Sequence, residues 1–281
     1  MDNLQHQRLE LKYIVPEETA VAARDFVSAY LTLDKFGVGR PDFSYPIHSL
    51  YLDSDDLALY WHTINGNKNR YKLRLRYYSD KSGAPVFCEI KRRINGAILK
   101  QRGAVKRSAV EGLLAGQLPE PGQLFFDDPE QMPALERFCE LMQHNQAKPK
   151  AHVAYRREAW VSSGGNATRV TMDRQVRFEF EPATLLRTEM RRPLEVFPDR
   201  VVLELKFTGR FPDWFGELAR SFNLWQCAAA KYADGVALLM ESGRNPAIPA
   251  AAPTPQTEAK LLRRRAHLER NCGPRELALT S

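Results

Sequence analysis

The sequence predicts a β-dominated α+β fold, in which antiparallel strands close into a barrel-shaped tunnel with peripheral helices. Charged residues occupy every second position of Arg70–Arg76 and positions Glu89, Lys91 and Arg93 of Phe87–Arg93, and a strand places alternate residues on opposite faces. Glu-x-Lys recurs at Glu10, Glu89 and Glu204, each time between apolar residues typical of strands. The predicted order has few strand–helix–strand alternations, which argues against a doubly wound fold.

If these strands share one closed sheet, their charged faces meet in its interior. A barrel of about eight strands encloses room for side chains or one ligand. An interior with many cations and few carboxylates suits a string of phosphates, and the carboxylates suit a divalent cation bound with them. The alternative is the solvated outer face of a sheet, because enclosed like charges are costly.

Alternation and turn residues locate the strands. Asn95-Gly96 predicts a tight turn, and Lys81-Ser82-Gly83 predicts the turn of an antiparallel hairpin. In chain order, the predicted strands are one before Pro16, then Ile47–Leu52, Arg70–Arg76, Phe87–Arg93, Ala97–Gln101, His152–Val161, Arg169–Asp173 and Val201–Phe207.

Capping signals and helical spacing of apolar residues locate the helices. Pro16 followed by two glutamates predicts one helix start, and Ser108 with Glu111 forms a capping box for another. Ser54 or Asp55 is expected to cap a short helix that ends at Trp61, since a capping segment explains Asp53–Asp56 better than a metal site. The predicted helices are Pro16–Leu33, one through Trp61, one from Ser108 to near Gly116, Pro133–His144, Pro212–Phe222 and Ala229–Met240.

Composition divides the chain into a domain (residues 1–243), a Pro/Ala-rich linker (244–257) and a basic helical tail (258–281). The net charge is +7, but residues 244–281 hold seven Lys/Arg and three Asp/Glu, which leaves only +3 on the domain. This distribution indicates a concentrated basic site rather than a nucleic-acid surface. No apolar stretch is long enough for a membrane span and no signal segment opens the chain, so we expect a cytoplasmic protein.

Several other kinds of site are not supported. The four cysteines show no metal-binding spacing and are expected to be reduced thiols. The histidines lack partners at metal-ligand spacing and are interpreted as structural. The sequence has no Gly-x-x-x-x-Gly-Lys loop, no set of kinase motifs and no nucleophile with a partnered base.

Six segments of the chain form an ordered set of motifs, namely RLELKY, HSLYLDSDDLALY, NRYKLRLRYY, CEIKRR, VVLELKF and AAKYADGV. In this order they resemble the VTC (vacuolar transporter chaperone) domain, the polyphosphate polymerase branch of the triphosphate tunnel metalloenzymes. The resemblance covers roughly residues 5 to 241. It implies a tunnel that binds a nucleoside triphosphate or polyphosphate together with Mn²⁺ or Mg²⁺.

The resemblance also implies site residues, and bidentate guanidinium contacts suit phosphate oxygens. Six cations match the family's phosphate-binding positions, namely Lys12, Arg74, Arg76, Lys91, Arg157 and Lys231. Glu204 matches the family's metal ligand.

Other residues on the same strand faces are candidates from the alternation. Glu10 and Glu89 could bind the metal or neutralise neighbouring cations. Tyr155 could donate to a phosphate or simply pack. The remaining candidate substrate contacts are Arg70, Lys72, Arg93 and Lys206.

The sequence departs from the family pattern at two places. Ala228 and Ala230 replace a lysine and a serine, which leaves activity open. In Arg8-x-Glu10-x-Lys12 a cation replaces the first acid of the superfamily's Glu-x-Glu-x-Lys motif, which favours the polymerase branch over the hydrolytic ones.

The expected function is therefore polyphosphate synthesis from ATP. Hydrolysis of tripolyphosphate or nucleoside triphosphates and non-catalytic polyphosphate binding are the alternatives. Coupling to a membrane would need a membrane-protein partner, and the sequence leaves the oligomeric state open.

Overall fold

The computed structural model describes residues 8–163 and 167–243, so the predicted linker and tail lie outside the described residues. Within these ranges there are ten strands and six α-helices. The strands are β1 (Arg8–Pro16), β2 (Thr32–Leu33), β3 (Ser44–Asp53), β4 (Arg70–Tyr77), β5 (Val86–Ile94), β6 (Ala97–Val105), β7 (Lys148–Val161), β8 (Thr168–Phe180), β9 (Leu194–Glu195) and β10 (Arg200–Thr208). The helices are α1 (Glu17–Ser28), α2 (Ala58–Ile64), α3 (Val110–Leu114), α4 (Gln131–His144), α5 (Asp213–Ser221) and α6 (Lys231–Glu241).

Eight strands form a closed antiparallel ring in the order β7-β3-β4-β5-β6-β1-β10-β8. The ring closes because β8 pairs with β7 as well as with β10. The short strands β2 and β9 extend β7 and β8. The predicted β-dominated, closed antiparallel fold with helices is therefore confirmed.

The predicted hairpin and tight turn form as expected. Arg70 lies opposite Arg93, and Arg74 lies opposite Glu89, across β4 and β5. Asn95 and Gly96 both have positive φ, 47° and 95°, as a two-residue turn that matches strand twist requires.

The helix predicted over Pro16–Leu33 is too long at its C-terminal end. It ends at Ser28, and Thr32–Leu33 instead pairs with β7. Pro16 is the N-cap, with Glu17 and Glu18 in the first turn.

The starts of α2 and α3 also differ from the prediction. The predicted cap Ser54 does contribute, since its Oγ accepts a hydrogen bond from the Ala58 amide at 2.9 Å, and the carboxylate of Asp53 accepts hydrogen bonds from the Leu59 and Tyr60 amides. The Asp53–Asp56 segment thus serves the start of α2, although that helix begins later than expected. The capping box of Ser108 and Glu111 does not form, because a 3-10 turn (Arg107–Ala109) moves the start of α3 to Val110.

Four of the described strands are longer than predicted by four or more residues, namely β3, β6, β7 and β8. In β6, Gly103 suggests an end, but the strand continues to Val105. A Cβ at Gly103 would lie 2.5 Å from Cγ of Leu135, so the glycine is required for close packing of α4.

Apolar layers cover the outer side of the ring. The outward-facing Leu73 and Leu75 of β4 are fully buried in a cluster with residues of α3 and α4. On another side, residues of α1 and α5 pack over Leu203 and Leu205 of β10. None of the helices in the described ranges has the length and apolar character needed to cross a membrane.

Helix α6 packs against the remaining apolar cluster, which contains inward-facing strand residues. Tyr232, Val236 and Leu239 lie in one buried cluster with Val153 and Phe178. A Cβ at Gly235 would lie 2.1 Å from Phe178, so only glycine permits this approach. The N-terminus of α6 consequently lies at the boundary between this apolar region and the charged part of the interior.

Two of the histidines interpreted as structural are buried. Nδ1 of His48 and Nε2 of His152 lie 3.1 Å apart. Burial lowers their pKa values to about 4 and about 3, so both rings are neutral near pH 7. This agrees with a structural role.

Candidate functional site

The interior of the ring contains a cavity of about 1180 Å³. Among the described residues, fifteen Lys and Arg line it, against three carboxylates, Glu10, Asp34 and Glu204. The alternation of β4 is the simplest cause, since it directs Arg70, Lys72, Arg74 and Arg76 to the cavity while Leu73 and Leu75 face outward. A cavity with this excess of positive charge favours a polyanion.

Eight of the fifteen described lining cations fall into two groups around buried carboxylates. We define the Glu204 cluster as Glu10, Lys12, Arg157, Asp173, Glu204, Lys206 and Lys231. We define the Glu89 cluster as Arg74, Arg76, Glu89, Lys100 and Arg102.

In the Glu204 cluster, four cations contact one carboxylate. Glu204 lies 3.1 Å from Lys12, 2.5 Å from Lys206, 3.3 Å from Lys231 and 3.4 Å from Arg157. Burial opposes its charged form, but these cations outweigh burial and hold the pKa of Glu204 well below its ordinary value. The carboxylate is therefore ionised at neutral pH.

Asp173 lies under two of the same cations. It accepts a bidentate pair of hydrogen bonds from Arg157, both 2.7 Å, and lies 2.6 Å from Nζ of Lys231. Against the effect of burial, these cations lower the pKa of Asp173. Asp173 thus fixes a guanidinium and an ammonium that both line the cavity.

Burial has the opposite outcome at Lys206. It lowers the pKa of the Lys206 ammonium to about 7, although Glu204 acts to raise it. Burial also opposes the charged form of Lys12, but Glu10 and Glu204 outweigh it and raise the pKa of Lys12 above its usual value. Adjacent lysines of one cluster therefore differ in how firmly they hold a proton.

The Glu89 cluster lies on β4, β5 and β6. Glu89 accepts hydrogen bonds from Nε and Nη2 of Arg74, at 2.9 and 2.7 Å, and lies 2.6 Å from Lys100. Arg76 and Arg102 are farther away, at 3.7 and 3.5 Å. Glu89 is fully buried and does not line the cavity, so it lies behind the cations that do.

A chain of contacts connects Arg74 to helices α2 and α6. Nη1 of Arg74 donates to the Tyr51 hydroxyl at 2.9 Å, and the Tyr51 ring stacks on Tyr232 with centroids 4.9 Å apart. The Tyr232 hydroxyl donates to Asp53 at 2.8 Å, which is a residue that caps α2. Lys231 is the residue before Tyr232 in α6. The contacts of Tyr51 and Tyr232 therefore position two cations of the cavity, Arg74 and Lys231.

Thirteen of the fourteen predicted site residues line the cavity, the exception being Glu89. Tyr155 carries its hydroxyl 3.1 Å from Nη2 of Arg76, and its ring lies under Lys231, 4.9 Å from Nζ. Ala228 and Ala230 also line the cavity, so the two departures from the family pattern fall on its wall.

The three predicted metal ligands are not brought together. Glu10 and Glu204 share Lys12, whose Nζ lies 3.1 Å from each, whereas Glu89 belongs to the other cluster. No group of three or more acids, His or Cys in the described ranges could hold an ion. Buried Oε1 of Glu10 has a charge contact with Lys12 but no hydrogen bond. Mg²⁺ is commonly held by one or two carboxylates plus substrate phosphates, and Glu10 and Glu204 fit that pattern.

Sequence reasoning missed several cavity residues. Lys100 and Arg102 follow the same alternation as β4. Lys100 lies in a predicted strand but was given no role, and Arg102 lies beyond the predicted end of that strand at Gln101. Arg169 was noted as a strand cation without a role; its Nη2 lies 2.8 Å from Asp34 and 3.2 Å from the Tyr45 hydroxyl. Asp34 was not predicted to line the cavity, because it follows the predicted helix Pro16–Leu33 and lies in no predicted strand.

Comparison with known proteins identifies a family whose model matches most of the chain. The family model described as the VTC domain matches residues 7–240, whereas no curated protein matches the chain.

Solved structures that resemble the chain are distant. A protein from Bacillus halodurans described as a putative adenylate cyclase is 15% identical, with 80% of this chain and 94% of that chain covered and a TM-score of 0.45. The PH1819 protein from Pyrococcus horikoshii OT3 is 12% identical (84% and 99% covered, TM-score 0.41). A protein from Vibrio parahaemolyticus with the same description as the first is 10% identical (82% and 97% covered, TM-score 0.41). The family match spans most of the chain, and the chain therefore belongs to the VTC domain family.

Proposed function

We propose that the protein is a polyphosphate polymerase that transfers the terminal phosphoryl group of ATP onto a polyphosphate chain. The observation that carries this proposal is the excess of cations in an enclosed cavity, fifteen against three carboxylates among the described lining residues. Phosphoryl transfer is catalysed mainly by alignment and by neutralisation of charge. Both need cations held in fixed positions along the path of the phosphates.

In the proposed reaction, a terminal oxygen of the polyphosphate attacks the γ-phosphorus of ATP. The bond between that phosphorus and the β–γ bridging oxygen breaks, ADP leaves with the electron pair, and the polymer gains one phosphate. Arg74, Arg76 and Arg157 are the proposed bidentate contacts, and Lys12, Lys91 and Lys231 the proposed point charges. Lys206, Arg70, Lys72 and Arg93 extend the cationic wall.

A divalent cation such as Mn²⁺ or Mg²⁺ is part of the proposal. Glu204 and Glu10 are the residues that would hold it, together with phosphate oxygens. When bound, it would supply neutralisation of phosphate charge. Glu89 is better assigned to orienting Arg74 and Arg76, because it lies behind them rather than in the cavity.

A non-catalytic polyphosphate binder is the second candidate, and a specific observation favours it. Ala228 and Ala230 stand on the cavity wall, where the family pattern supplies a lysine and a serine. A wall with one cation and one hydroxyl fewer can still hold a polyanion.

The test is incubation of the purified protein with ATP, a short polyphosphate primer and Mn²⁺, with polymer, ADP and free phosphate resolved separately. We expect longer polyphosphate, with one ADP released for each phosphate that is added to the polymer. ADP with free phosphate and no polymer would replace the polymerase with a hydrolase. Tight polyphosphate binding without turnover under either metal would favour the binder. Arg74→Ala should abolish the product, whereas Arg137→Ala, which removes an exposed arginine of α4, should not.

A further inference from the structure

The two ends of the cavity differ in chemistry. Arg70 and Arg93 are opposite each other at the start of β4, and Tyr78 follows the end of that strand. β3 pairs Tyr51 with Arg74 and runs antiparallel to β4, so Tyr45 lies at the Tyr78 end. Eight residues separate Arg70 from Tyr78, or about 26 Å along a strand. One end is therefore cationic, and the other carries aromatic rings.

We define the aromatic rim as Phe36, Tyr45 and Tyr78, which all line the cavity. The rings of Phe36 and Tyr45 have centroids 5.7 Å apart. Phe36 is 58% exposed and Tyr78 is 38% exposed, whereas Tyr45 is buried. The rim thus offers accessible aromatic surface at the entrance to a cationic cavity.

Phe36 lies in the loop after β2, and hydrogen bonds of Asp34 hold the backbone of this loop in place. The backbone N–H of Phe36 donates to Oδ1 of Asp34 at 3.0 Å, and Oδ2 of the same carboxylate lies 2.8 Å from Arg169. The Asp34 N–H donates to the carbonyl of Ala159 on β7 at 2.8 Å. One buried carboxylate therefore fixes both the backbone that carries the exposed ring and a cation of the cavity.

The side chains next to the aromatic rim indicate which part of a ligand would bind there. Arg169 donates to the Tyr45 hydroxyl at 3.2 Å, and Arg157 lies opposite Tyr45 in the strand register. Stacking of a nucleic-acid base on an aromatic side chain is worth about 1–3 kcal/mol by alanine substitution. A nucleoside triphosphate could place its planar base on Phe36 and its phosphates on the arginines just inside.

We propose that the aromatic rim is the nucleoside subsite, where the base stacks on Phe36 and the triphosphate extends from Arg169 toward the Glu204 cluster. This inference rests on the proposed use of ATP and specifies the end of the cavity from which ATP binds. The opposite end offers charge from Arg70, Lys72 and Arg93, and its ring, Tyr71, is occupied, because it packs against the outer apolar cluster and accepts a hydrogen bond from Asn145.

The test compares two ligands, ATP and tripolyphosphate, by titration calorimetry without metal. Phe36→Ala should weaken ATP binding about 5-fold or more and change tripolyphosphate binding less than about 2-fold. Phe36→Tyr should restore ATP binding because it keeps the ring. Phe126→Ala, which removes a 49% exposed ring outside the cavity lining, is the matched control and should leave both affinities unchanged.

Two results would overturn the inference in distinguishable ways. If Phe36→Ala leaves ATP binding unchanged, or weakens both ligands equally, the base does not stack on Phe36, and the proposed function is untouched. If the wild-type protein binds neither ligand, the proposed function itself is wrong, and this inference with it. Thermal unfolding of each variant checks that the exposed substitution leaves the fold intact.

Discussion

The inside of the ring has two parts, a cationic cavity and an apolar region against which α6 packs. The same strands contribute to both. On β10, Glu204 and Lys206 line the cavity, whereas Val202 packs in the cluster that contains α6. On β8, Arg169 lines the cavity and Phe178 lies in that cluster.

This difference shows how packing positions the charged site. The apolar region fixes α6 through Tyr232, Val236 and Gly235. The first residue of α6, Lys231, contacts Asp173 and Glu204 at 2.6 and 3.3 Å. A change in the apolar region should therefore reach the cavity, while a change in the cavity should leave the apolar region intact.

Phe178→Ala should have the largest effect. It leaves a hole beside Gly235 and should cost about 3–5 kcal/mol of unfolding free energy. Because α6 would lose its contact, binding of tripolyphosphate should weaken as well. Denaturant unfolding and calorimetry measure the two effects, with Phe126→Ala as the exposed control. An unchanged unfolding midpoint would mean that α6 does not depend on this packing.

Glu89→Gln should destabilise the protein by about 3–5 kcal/mol at pH 7, because it leaves the cations of the Glu89 cluster without their carboxylate. The pKa of Glu89 is well below its ordinary value, since Arg76 and the other cations outweigh burial. Its stabilisation is therefore complete above the unfolded-state pKa and is lost as pH falls through the lower folded-state value.

The pH dependence of unfolding checks this assignment. The difference in stability between wild type and Glu89→Gln should be full near pH 7 and should narrow in acid, below about pH 4. A difference that stays constant down to the acid unfolding limit would show that the carboxylate's charge is not the cause.

Arg74→Ala and Arg76→Ala should each weaken polyphosphate binding by about 1.5–3 kcal/mol and abolish turnover. Arg74→Ala should also lower the unfolding free energy, because the buried Glu89 carboxylate loses two of its hydrogen bonds. Both guanidinium groups line the cavity, so their removal deletes contacts to a ligand rather than apolar packing. Leu75→Ala is the reverse control, since it faces the layer beneath α4 and should lose stability instead. Near-normal activity in either arginine variant would place the substrate elsewhere.

Glu204→Gln should have the smallest effect on binding. The glutamine keeps the shape but loses the charge that a hard divalent cation requires, so turnover with Mn²⁺ should fall. Affinity for tripolyphosphate without metal should hold or rise, because four cations lose a competing carboxylate. Unchanged turnover with reduced thermal stability would assign Glu204 a purely structural role.

Much of this organisation could be predicted from alternation alone. The alternation along β4 predicted that Arg74 and Arg76 face the interior and that Leu73 and Leu75 face outward. This prediction works because one face of the strand lines the cavity and the other packs against the apolar layer. The same pattern at Arg102 was missed because the predicted strand ended at Gln101, whereas β6 continues to Val105 and packs Gly103 against Leu135.

Other features depend on tertiary contacts that the sequence does not display. The apolar face of α6 was predicted, but not that it packs with inward-facing strand residues. Glu89 and Glu204 share a motif, yet only Glu204 lines the cavity, because neighbouring strands supply different partners. β8 also continues past Gln175, whose φ is 52°, where a regular strand was not expected.

We propose that a phosphate chain binds inside the ring, between the Glu89 and Glu204 clusters. A crystal structure of the protein with tripolyphosphate tests it most directly. We predict density for the ligand within hydrogen-bonding distance of the Arg74, Arg76 and Arg157 guanidinium groups. Tripolyphosphate bound only on the outer surface, with the cavity cations still paired to their carboxylates, would contradict the account.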